Sequence, residues 1–285
     1  SFDRKKMFRA VIVSSLLAFV FSMYIADPAK WERHQYLVKV LTKDTKLKNI
    51  STCTGTLLSP SVVLTSSKCF PDTRKNLIAQ AIIKKKDSSA TMNKAMLAVK
   101  IDGDLALMKI DAVNEDHFCD KEPHPPRVAR LNFKPSLTDA TYRTIVPRDL
   151  QDSKCRVIGF ETTEDVEDFA TSHKVQVLDL DVHADTENLM FSEVNSNSTG
   201  RVCWDDIGAP LECVLDVENN KYVQVGIVSG LYGREMDKED NSTMVVVNCS
   251  EVQTMQFVVF SDNTFVHAIE NVDKASVFEA QDKCF

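Results

Sequence analysis

Cysteine is the residue type in this 285-residue chain whose number and spacing first suggest chemistry. The chain has eight cysteines, and none of them forms a Cys-x-x-Cys pair of the kind that binds zinc or carries out thiol redox reactions. An even number of cysteines without such pairs favours structural disulfides, which form outside the reducing cytosol. The sequence therefore predicts an oxidised, extracellular protein with no metal site and no cofactor.

Three short segments contain the residues that could take part in catalysis. Residues 53–69 read CTGTLLSPSVVLTSSKC, the pattern of a hairpin with a Ser-Pro turn and a disulfide closing its ends, and Lys68 precedes the last cysteine. Residues 103–108 read GDLALM and include Asp104. Residues 203–213 read CWDDIGAPLEC.

These segments resemble the trypsin and chymotrypsin family of serine peptidases. The family patterns C-G-G-x-L-I-x-x-x-W-V-L-T-A-A-H-C, D-I-A-L-L and C-x-G-D-S-G-G-P-L-x-C match them in spacing. Residues 155–160, 226–230 and 257–269 resemble further family landmarks, and the resemblance extends over residues 35–272. It implies an all-β fold with two six-stranded β-barrels, a site in the cleft between them and a carboxy-terminal helix.

The resemblance implies catalytic positions that are altered in this chain. Family members use a serine nucleophile, a histidine base and an aspartate that orients the histidine. Here Lys68 stands at the position of the base, Asp104 keeps the aspartate, and Ile207 stands at the position of the nucleophile. Isoleucine has no nucleophilic atom, and lysine is protonated near pH 7 and cannot accept a proton there. The resemblance therefore implies a pseudoprotease in which no catalytic triad is intact.

Two other functional regions of the family are also changed. Asp205 stands where the family uses a glycine of the oxyanion hole, and a carboxylate there would repel an oxyanion. Arg201 and Ser229 correspond to the specificity pocket, and Arg201 replaces an aspartate that selects basic side chains. Arg201 would repel Lys or Arg ligands, and it either binds an acidic ligand or pairs with Asp206 or another local carboxylate. Lys68 either forms an ion pair with the Asp104 carboxylate or points into solvent.

The disulfide pairs also follow from the resemblance. It implies the pairs Cys53–Cys69, Cys155–Cys213 and Cys203–Cys249, which leaves Cys119–Cys284 as the fourth pair. The pairing of Cys119, Cys203, Cys249 and Cys284 remains open at this point, because sequence does not determine connectivity.

The strands that must position these residues are predicted from the alternation of apolar and polar side chains. The phase of this alternation shifts at Val177 and Leu178, which indicates a bulge. One helix is predicted, with Asp262 as its cap and a buried face that includes Phe265 and Ile269, followed by Val272. Strands are expected at residues 36–41, 61–65, 105–110, 175–182, 222–228, 244–247 and 255–260.

The first 26 residues have the features of a secretory signal peptide. Residues 4–9 carry four basic side chains, and the 17 residues from 10 to 26 are uncharged. This run is shorter than the roughly 20 residues that span a bilayer comfortably, so a retained membrane anchor is the alternative. Cleavage would follow Ser22 or Ala26, and residues 27–285 would form a single trypsin-like domain.

The sequence also limits the partners of the protein. With 41 acidic and 34 basic residues the net charge is −7, which is unfavourable for binding nucleic acid. Four Asn-x-Ser/Thr sequons suit a secreted glycoprotein, at Asn49, Asn197, Asn241 and Asn248.

We therefore expect an inactive, secreted serine peptidase homologue that binds or regulates other proteins. Its protein partner is unidentified, and the insert at residues 234–243 is the first candidate for a recognition loop. An active endopeptidase with an unconventional nucleophile and a membrane-anchored inactive ectodomain are the two alternatives.

Overall fold

The fold is taken from a computed structural model. It describes residues 27–44, 50–70, 77–84, 90–101, 104–113, 118–119, 127–131, 133–134, 141–142, 150, 153–160, 174–186, 189–193, 200–215, 221–233, 249–260 and 263–285.

Strands dominate the described part of the chain, and one α-helix follows them. The strands are β1 Asp27–Lys30, β2 Leu37–Asp44, β3 Ile50–Ser59, β4 Val62–Ser66, β5 Leu77–Lys84, β6 Ala90–Ile101, β7 Leu105–Ile110, β8 Phe133–Lys134, β9 Thr141–Tyr142, β10 Cys155–Phe160, β11 Lys174–Leu180, β12 His183–Ala184, β13 Leu189–Glu193, β14 Pro210–Val214, β15 Tyr222–Tyr232 and β16 Thr254–Val259. The helix α1 runs from Asn263 to Cys284.

Six strands close into a β-barrel, which we call the first barrel. Its strand order is β2-β3-β4-β7-β6-β5, and every neighbouring pair is antiparallel. Alternate side chains point inward because successive residues of a strand face opposite sides, and Val38, Val40, Leu57, Val63 and Met108 fill the interior. Closure leaves no strand edge with unpaired backbone groups.

The second sheet has eight strands, in the order β1-β11-β10-β14-β15-β16-β13-β12. The short strands β1 and β12 lie at its two ends, which accounts for two strands beyond the six that were expected. The two barrel-like sheets and the terminal helix confirm the predicted double-barrel fold.

The bulge predicted at Val177 and Leu178 is wrong. Strand β11 pairs without a register shift with β10, where Val157 lies opposite Leu178 and Ile158 lies opposite Val177. It also pairs regularly with β1, where Asp27 lies opposite Val177. Regular pairing on both sides means that the strand contains no extra, unpaired residue. The shift in the apolar pattern instead reflects the partial burial of Val177.

Helix α1 packs on the outer surface of the first barrel, against β3, β4, β6 and β7. The predicted face is buried, with Phe265, Ile269 and Val272 in one apolar cluster. The helix bends at Asp273, whose backbone is non-helical and whose carboxylate lies 3.1 Å from Lys109 Nζ on β7. This ion pair fixes the bend against the barrel. The predicted cap Asp262 lies outside the described residues.

All four expected disulfides are present, Cys53–Cys69, Cys119–Cys284, Cys155–Cys213 and Cys203–Cys249. The first closes a hairpin of the first barrel, and Cys119–Cys284 ties the segment after that barrel to the end of α1. Four structural disulfides are typical of extracellular proteins.

Several predictions fall on residues that the structure does not describe. These are the signal segment at 1–26, the four sequons, the strand at 244–247 and the insert at 234–243. Within the described ranges, no helix combines the length and the hydrophobicity that are needed to cross a membrane.

A buried polar cluster ties the entrance of the first barrel to the second sheet. Tyr36, just before β2, donates its hydroxyl proton to Glu212 Oε1 on β14. Arg156 on β10 donates from Nε and Nη2 to Glu212 Oε2, at 3.0 and 2.8 Å. The Arg156 guanidinium also lies 3.6 Å from the centre of the Tyr222 ring. Because the Tyr36 proton goes to the carboxylate, His34 Nδ1, 3.1 Å from the Tyr36 hydroxyl, acts as a donor to it.

This cluster makes the stability of the fold depend on pH. Burial, followed by the positive charges of Arg156 and Arg33, lowers the pKa of His34 from 6.5 to about 4. Between those two pH values the unfolded chain binds a proton that the folded chain excludes, so the free energy of unfolding falls as the pH drops from 6.5 to 4. The loss reaches about 3 kcal/mol at pH 4, and His34→Gln should remove it.

Urea unfolding of the wild type and the variant at several pH values measures this difference. Replacing the exposed His183 by Gln serves as the control and should retain the loss of stability that the wild type shows between pH 6.5 and 4. Parallel stability curves for wild type and His34→Gln would contradict the assignment.

Candidate functional site

Lys68 joins the two halves of the molecule at the mouth of the cleft. It lies in the short 3-10 helix Ser67–Cys69, which is held by the Cys53–Cys69 disulfide and by a hydrogen bond of 3.2 Å from Lys68 N to Ser66 Oγ. Its Nζ lies 2.8 Å from Asp104 Oδ2 and donates to the carbonyl oxygen of Ser229 on β15 at 2.7 Å. The expected ion pair between Lys68 and Asp104 is therefore present, and the alternative in which Lys68 points into solvent is wrong.

Asp104 reaches Lys68 through an unusual backbone conformation. It has a φ of +67°, in the left-handed region that aspartate tolerates better than most side chains. Its carbonyl oxygen accepts the Ser67 N–H at 2.7 Å, and β7 begins at the next residue. The backbone thus holds the Asp104 carboxylate beside the 3-10 helix.

Ile207 offers no reactive group to the cleft. Its residue surface is only 6% exposed, and the side chain belongs to the same buried apolar cluster as Cys53 and Cys69. Its carbonyl oxygen accepts the Thr54 N–H at 3.0 Å, which attaches it to β3. The side chain therefore contributes to the core beneath the cleft.

The turn before Ile207 uses one of the two N–H groups that an oxyanion hole would need. Residues Trp204–Asp206 form a single 3-10 turn, and the Ile207 N–H donates to the Trp204 carbonyl oxygen at 3.2 Å. The Cys203 N–H donates to Asp206 Oδ2 at 2.8 Å, and the Asp206 N–H returns to the Cys203 carbonyl oxygen at 2.9 Å. An oxyanion hole of this kind needs the N–H of the nucleophile residue and that of the residue two before it. Here the first of these is already bonded to a carbonyl oxygen.

Asp205 ties this turn to the outside of the first barrel. The Thr52 hydroxyl donates to Asp205 Oδ1, and Lys39 Nζ lies 3.9 Å from Asp205 Oδ2. The Thr54 hydroxyl donates to the Asp205 carbonyl oxygen at 2.8 Å. Both the side chain and the backbone of Asp205 are therefore held by β2 and β3, which stabilises the closed turn.

Gly208 lets the turn pass between the two sheets. It has a φ of +86°, and a Cβ at this position would clash with the Thr54 carbonyl oxygen and with Thr65 Oγ1. Its N–H donates to the Val228 carbonyl oxygen on β15 at 2.9 Å. Glycine suits this position because the backbone of the turn lies close to the Thr54 carbonyl oxygen and the Ser66 N–H.

Arg201 and Ser229, the two residues expected in the specificity pocket, differ in their burial and in their hydrogen bonds. Ser229 is buried, its hydroxyl donates to the Gln256 carbonyl oxygen at 3.4 Å, and its own carbonyl holds Lys68. Arg201 is half-buried, and its Nε has no hydrogen-bond partner among the described residues. The sequence left open a pair between Arg201 and Asp206; the Asp206 carboxylate accepts the Cys203 N–H.

The structure thus brings Lys68, Asp104 and Ser229 into direct contact, and it places Ile207 in the core next to them. The sequence did not predict the hydrogen bond from the Ile207 N–H to the Trp204 carbonyl oxygen, because that bond depends on the backbone conformation of the turn. It also did not predict the contacts of Lys39 and Thr52 with Asp205, because these residues are more than 150 positions apart.

Comparisons with known proteins agree with the double-barrel fold. Residues 26–253 match the protein-family model described as Trypsin. The fold is similar to that of HL collagenase, with a TM-score of 0.56 and 14% sequence identity over 87% of this chain and 97% of that chain. At this identity the structural match shows the fold alone. No curated protein matches the sequence.

The ion pair between Lys68 and Asp104 should contribute little to stability. The two side chains are 46% and 36% exposed, so solvent screens their attraction. A double-mutant cycle with Lys68→Met and Asp104→Asn should give a coupling energy of about 0.2–1 kcal/mol, measured by urea unfolding and reduced by added salt.

The matched control replaces Lys109, which pairs with Asp273 at a distant place, by Met. Its coupling to Asp104→Asn should be zero within error. A coupling energy for Lys68 and Asp104 above about 2 kcal/mol would mean that the pair is shielded from water, contrary to its exposure.

Proposed function

Because the chain belongs to the trypsin family, we propose that it is a catalytically inactive serine peptidase homologue that acts by binding and regulating other proteins. The observation that carries this proposal is the position of Ile207, a buried hydrocarbon at the place of the nucleophile, whose N–H is bonded to the Trp204 carbonyl oxygen.

The chemistry of the altered positions supports inactivity. Without a hydroxyl or thiol at residue 207 no acyl-enzyme can form there. The Lys68 amine, bonded to the Asp104 carboxylate and the Ser229 carbonyl, is a donor and cannot take up a proton from a nucleophile. Loss of one triad member lowers turnover by roughly 10⁴ to 10⁶ in enzymes of this type, and here two of the three members are replaced.

The closed turn removes a second contribution to catalysis. Oxyanion stabilisation depends on N–H groups that already point at the place where negative charge develops. The Ile207 N–H is directed to the Trp204 carbonyl oxygen, and the Asp205 carboxylate adds negative charge on the same turn. Members of this family that lose only the nucleophile keep a residual activity, which comes from the oxyanion hole and substrate binding. We expect this residual activity to be absent here too.

A direct test uses the purified protein, freed of contaminating proteases. We expect no covalent adduct with an active-site-directed fluorophosphonate and no cleavage in a broad peptide panel, with bovine trypsin as the positive control. Intact-mass measurement detects the adduct. An adduct together with peptide cleavage would establish the competing function, an endopeptidase with an unconventional nucleophile, and mapping the modified residue would identify that nucleophile.

We further propose that the protein is a secreted glycoprotein whose amino-terminal signal segment is removed after Ser22 or Ala26. Support comes from the basic and apolar character of that segment, the four sequons and the four disulfides. Arg201 and Ser229 remain the proposed pocket residues, and residues 234–243 the proposed recognition loop.

Expression in animal cells should yield a protein in the medium that loses mass on treatment with an N-glycosidase. Replacing Asn49, Asn197 and Asn241 by Gln should remove most of that change, since Asn248 precedes the disulfide-bonded Cys249. Amino-terminal sequencing should show a start after Ser22 or Ala26. An intact residue 10–26 segment in a membrane fraction would instead establish an anchored ectodomain.

A further inference from the structure

Exposed apolar side chains are concentrated on one side of the first barrel. Among the described residues, four of the five exposed large apolar side chains lie on its strands: Ile50 on β3 at 61%, Ile78 on β5 at 38%, and Met92 and Met96 on β6 at 51% and 59%. The fifth is the terminal Phe285. Single exposed apolar residues are common, but a group on adjacent strands marks a binding surface more often.

The strand register places these side chains on one surface. Ile50 lies opposite Lys43 of β2, and Lys43 lies opposite Ile78 of β5, so the three share the outer face of the barrel. On β6, Met92, Lys94 and Met96 alternate outward, and Lys94 lies opposite Gln80, two residues from Ile78. We call this surface the outer-face patch; it consists of Lys43, Ile50, Ile78, Met92, Lys94 and Met96.

The size of the outer-face patch suits a short stretch of polypeptide. It crosses four strands, or about 14 Å at the usual spacing, and runs about 13 Å along β6 from residue 92 to residue 96. The first barrel is closed, so no strand edge is free to pair with a partner's backbone. A partner must therefore be recognised through the side chains of the patch.

The charges of the patch select the chemistry of that partner. Its charged members are Lys43 and Lys94; β3, β5 and β6 contain no acidic residue, and β2 contains one, Asp44, at its end. This basic and apolar surface lies on a chain with a net charge of −7. Carboxylates placed over the two lysines, with apolar side chains between them, would complement the patch, whereas a basic segment would be repelled.

An anionic membrane fits these observations less well than an acidic protein segment. Two lysines attract an anionic lipid surface only weakly, and the net negative charge of the rest of the chain opposes the approach. An acidic peptide segment is small enough to contact the patch without meeting that opposing charge.

We propose that the outer-face patch docks an acidic, apolar segment of a partner protein, with carboxylates at Lys43 and Lys94 and apolar side chains over Ile50, Ile78, Met92 and Met96. This inference rests on the proposed function, since it gives the binding activity of the inactive homologue a surface and a ligand chemistry. The patch shares no residue with the cleft, although Ile50 lies two positions before Thr52, which bonds to Asp205. Variants of the patch and of the cleft can therefore be made separately.

The test uses a display library of random 12-residue peptides, which is selected for binding to the secreted protein. We expect enrichment of peptides that combine Asp or Glu with Leu, Ile, Phe or Met. K43E/K94E should weaken the binding of these peptides at least about tenfold, and I78S/M96S should do the same by removing apolar contacts. Circular dichroism and thermal unfolding of each variant verify that it is folded.

A matched control replaces two lysines at the second sheet, Lys30 and Lys221, which are also exposed, by Glu. K30E/K221E should bind the enriched peptides as the wild type does, although its net charge equals that of K43E/K94E. Loss of binding in both variants would show a general charge effect and overturn the proposal.

The remaining outcomes also overturn it. These are the absence of enrichment, peptides that bind the patch variants normally, and patch-dependent binding to phosphatidylserine vesicles without peptide binding. Peptides that respond to Arg201→Ala and not to the patch variants would move binding to the cleft and leave the proposed function intact. A fluorophosphonate adduct would refute the proposed function whatever the peptides do, so the two failures are distinguishable.

Discussion

The hydrogen bond from the Ile207 N–H to the Trp204 carbonyl oxygen is the contact on which the character of the site depends. In an active member of the family this N–H would face the substrate carbonyl and receive the developing negative charge. Here it closes a 3-10 turn, and the turn is held from outside by the contacts of Asp205 with Thr52 and Lys39. The turn is therefore held in a conformation in which the Ile207 N–H is already bonded within the chain.

In active family members the residue at the position matched by Lys68 is a histidine that transfers a proton in each catalytic cycle. Lys68 Nζ pairs with the Asp104 carboxylate of one half and donates to the Ser229 carbonyl oxygen of the other, so it links the two sheets. The Tyr36, Glu212 and Arg156 cluster forms a second link, so the cleft is joined at more than one place.

Sequence reasoning succeeded where spacing within one segment determines the structure. The hairpin ending in Lys68, the buried face of α1 and the disulfides Cys53–Cys69 and Cys155–Cys213 follow from motifs whose residues are close in sequence or belong to matched segments. The pairing of Cys119, Cys203, Cys249 and Cys284 needed the tertiary structure. The predicted bulge at Val177 failed because strand pairing on both sides, which local alternation does not report, imposes a regular register. Likewise, alternation places Ile78 and Ile82 on the same face of β5, but only the tertiary structure shows that Ile82 is covered and Ile78 is exposed.

We propose that the closed turn would block catalysis even if a histidine and a serine were supplied at residues 68 and 207. The most direct measurement compares ester hydrolysis by the variant K68H/I207S with hydrolysis by K68H/D205G/I207S. Glycine at residue 205 removes the contacts with Thr52 and Lys39 and permits the backbone rotation that an oxyanion hole requires. We expect no turnover above background for the double variant and measurable turnover for the triple variant. Equal rates for the two variants would contradict it.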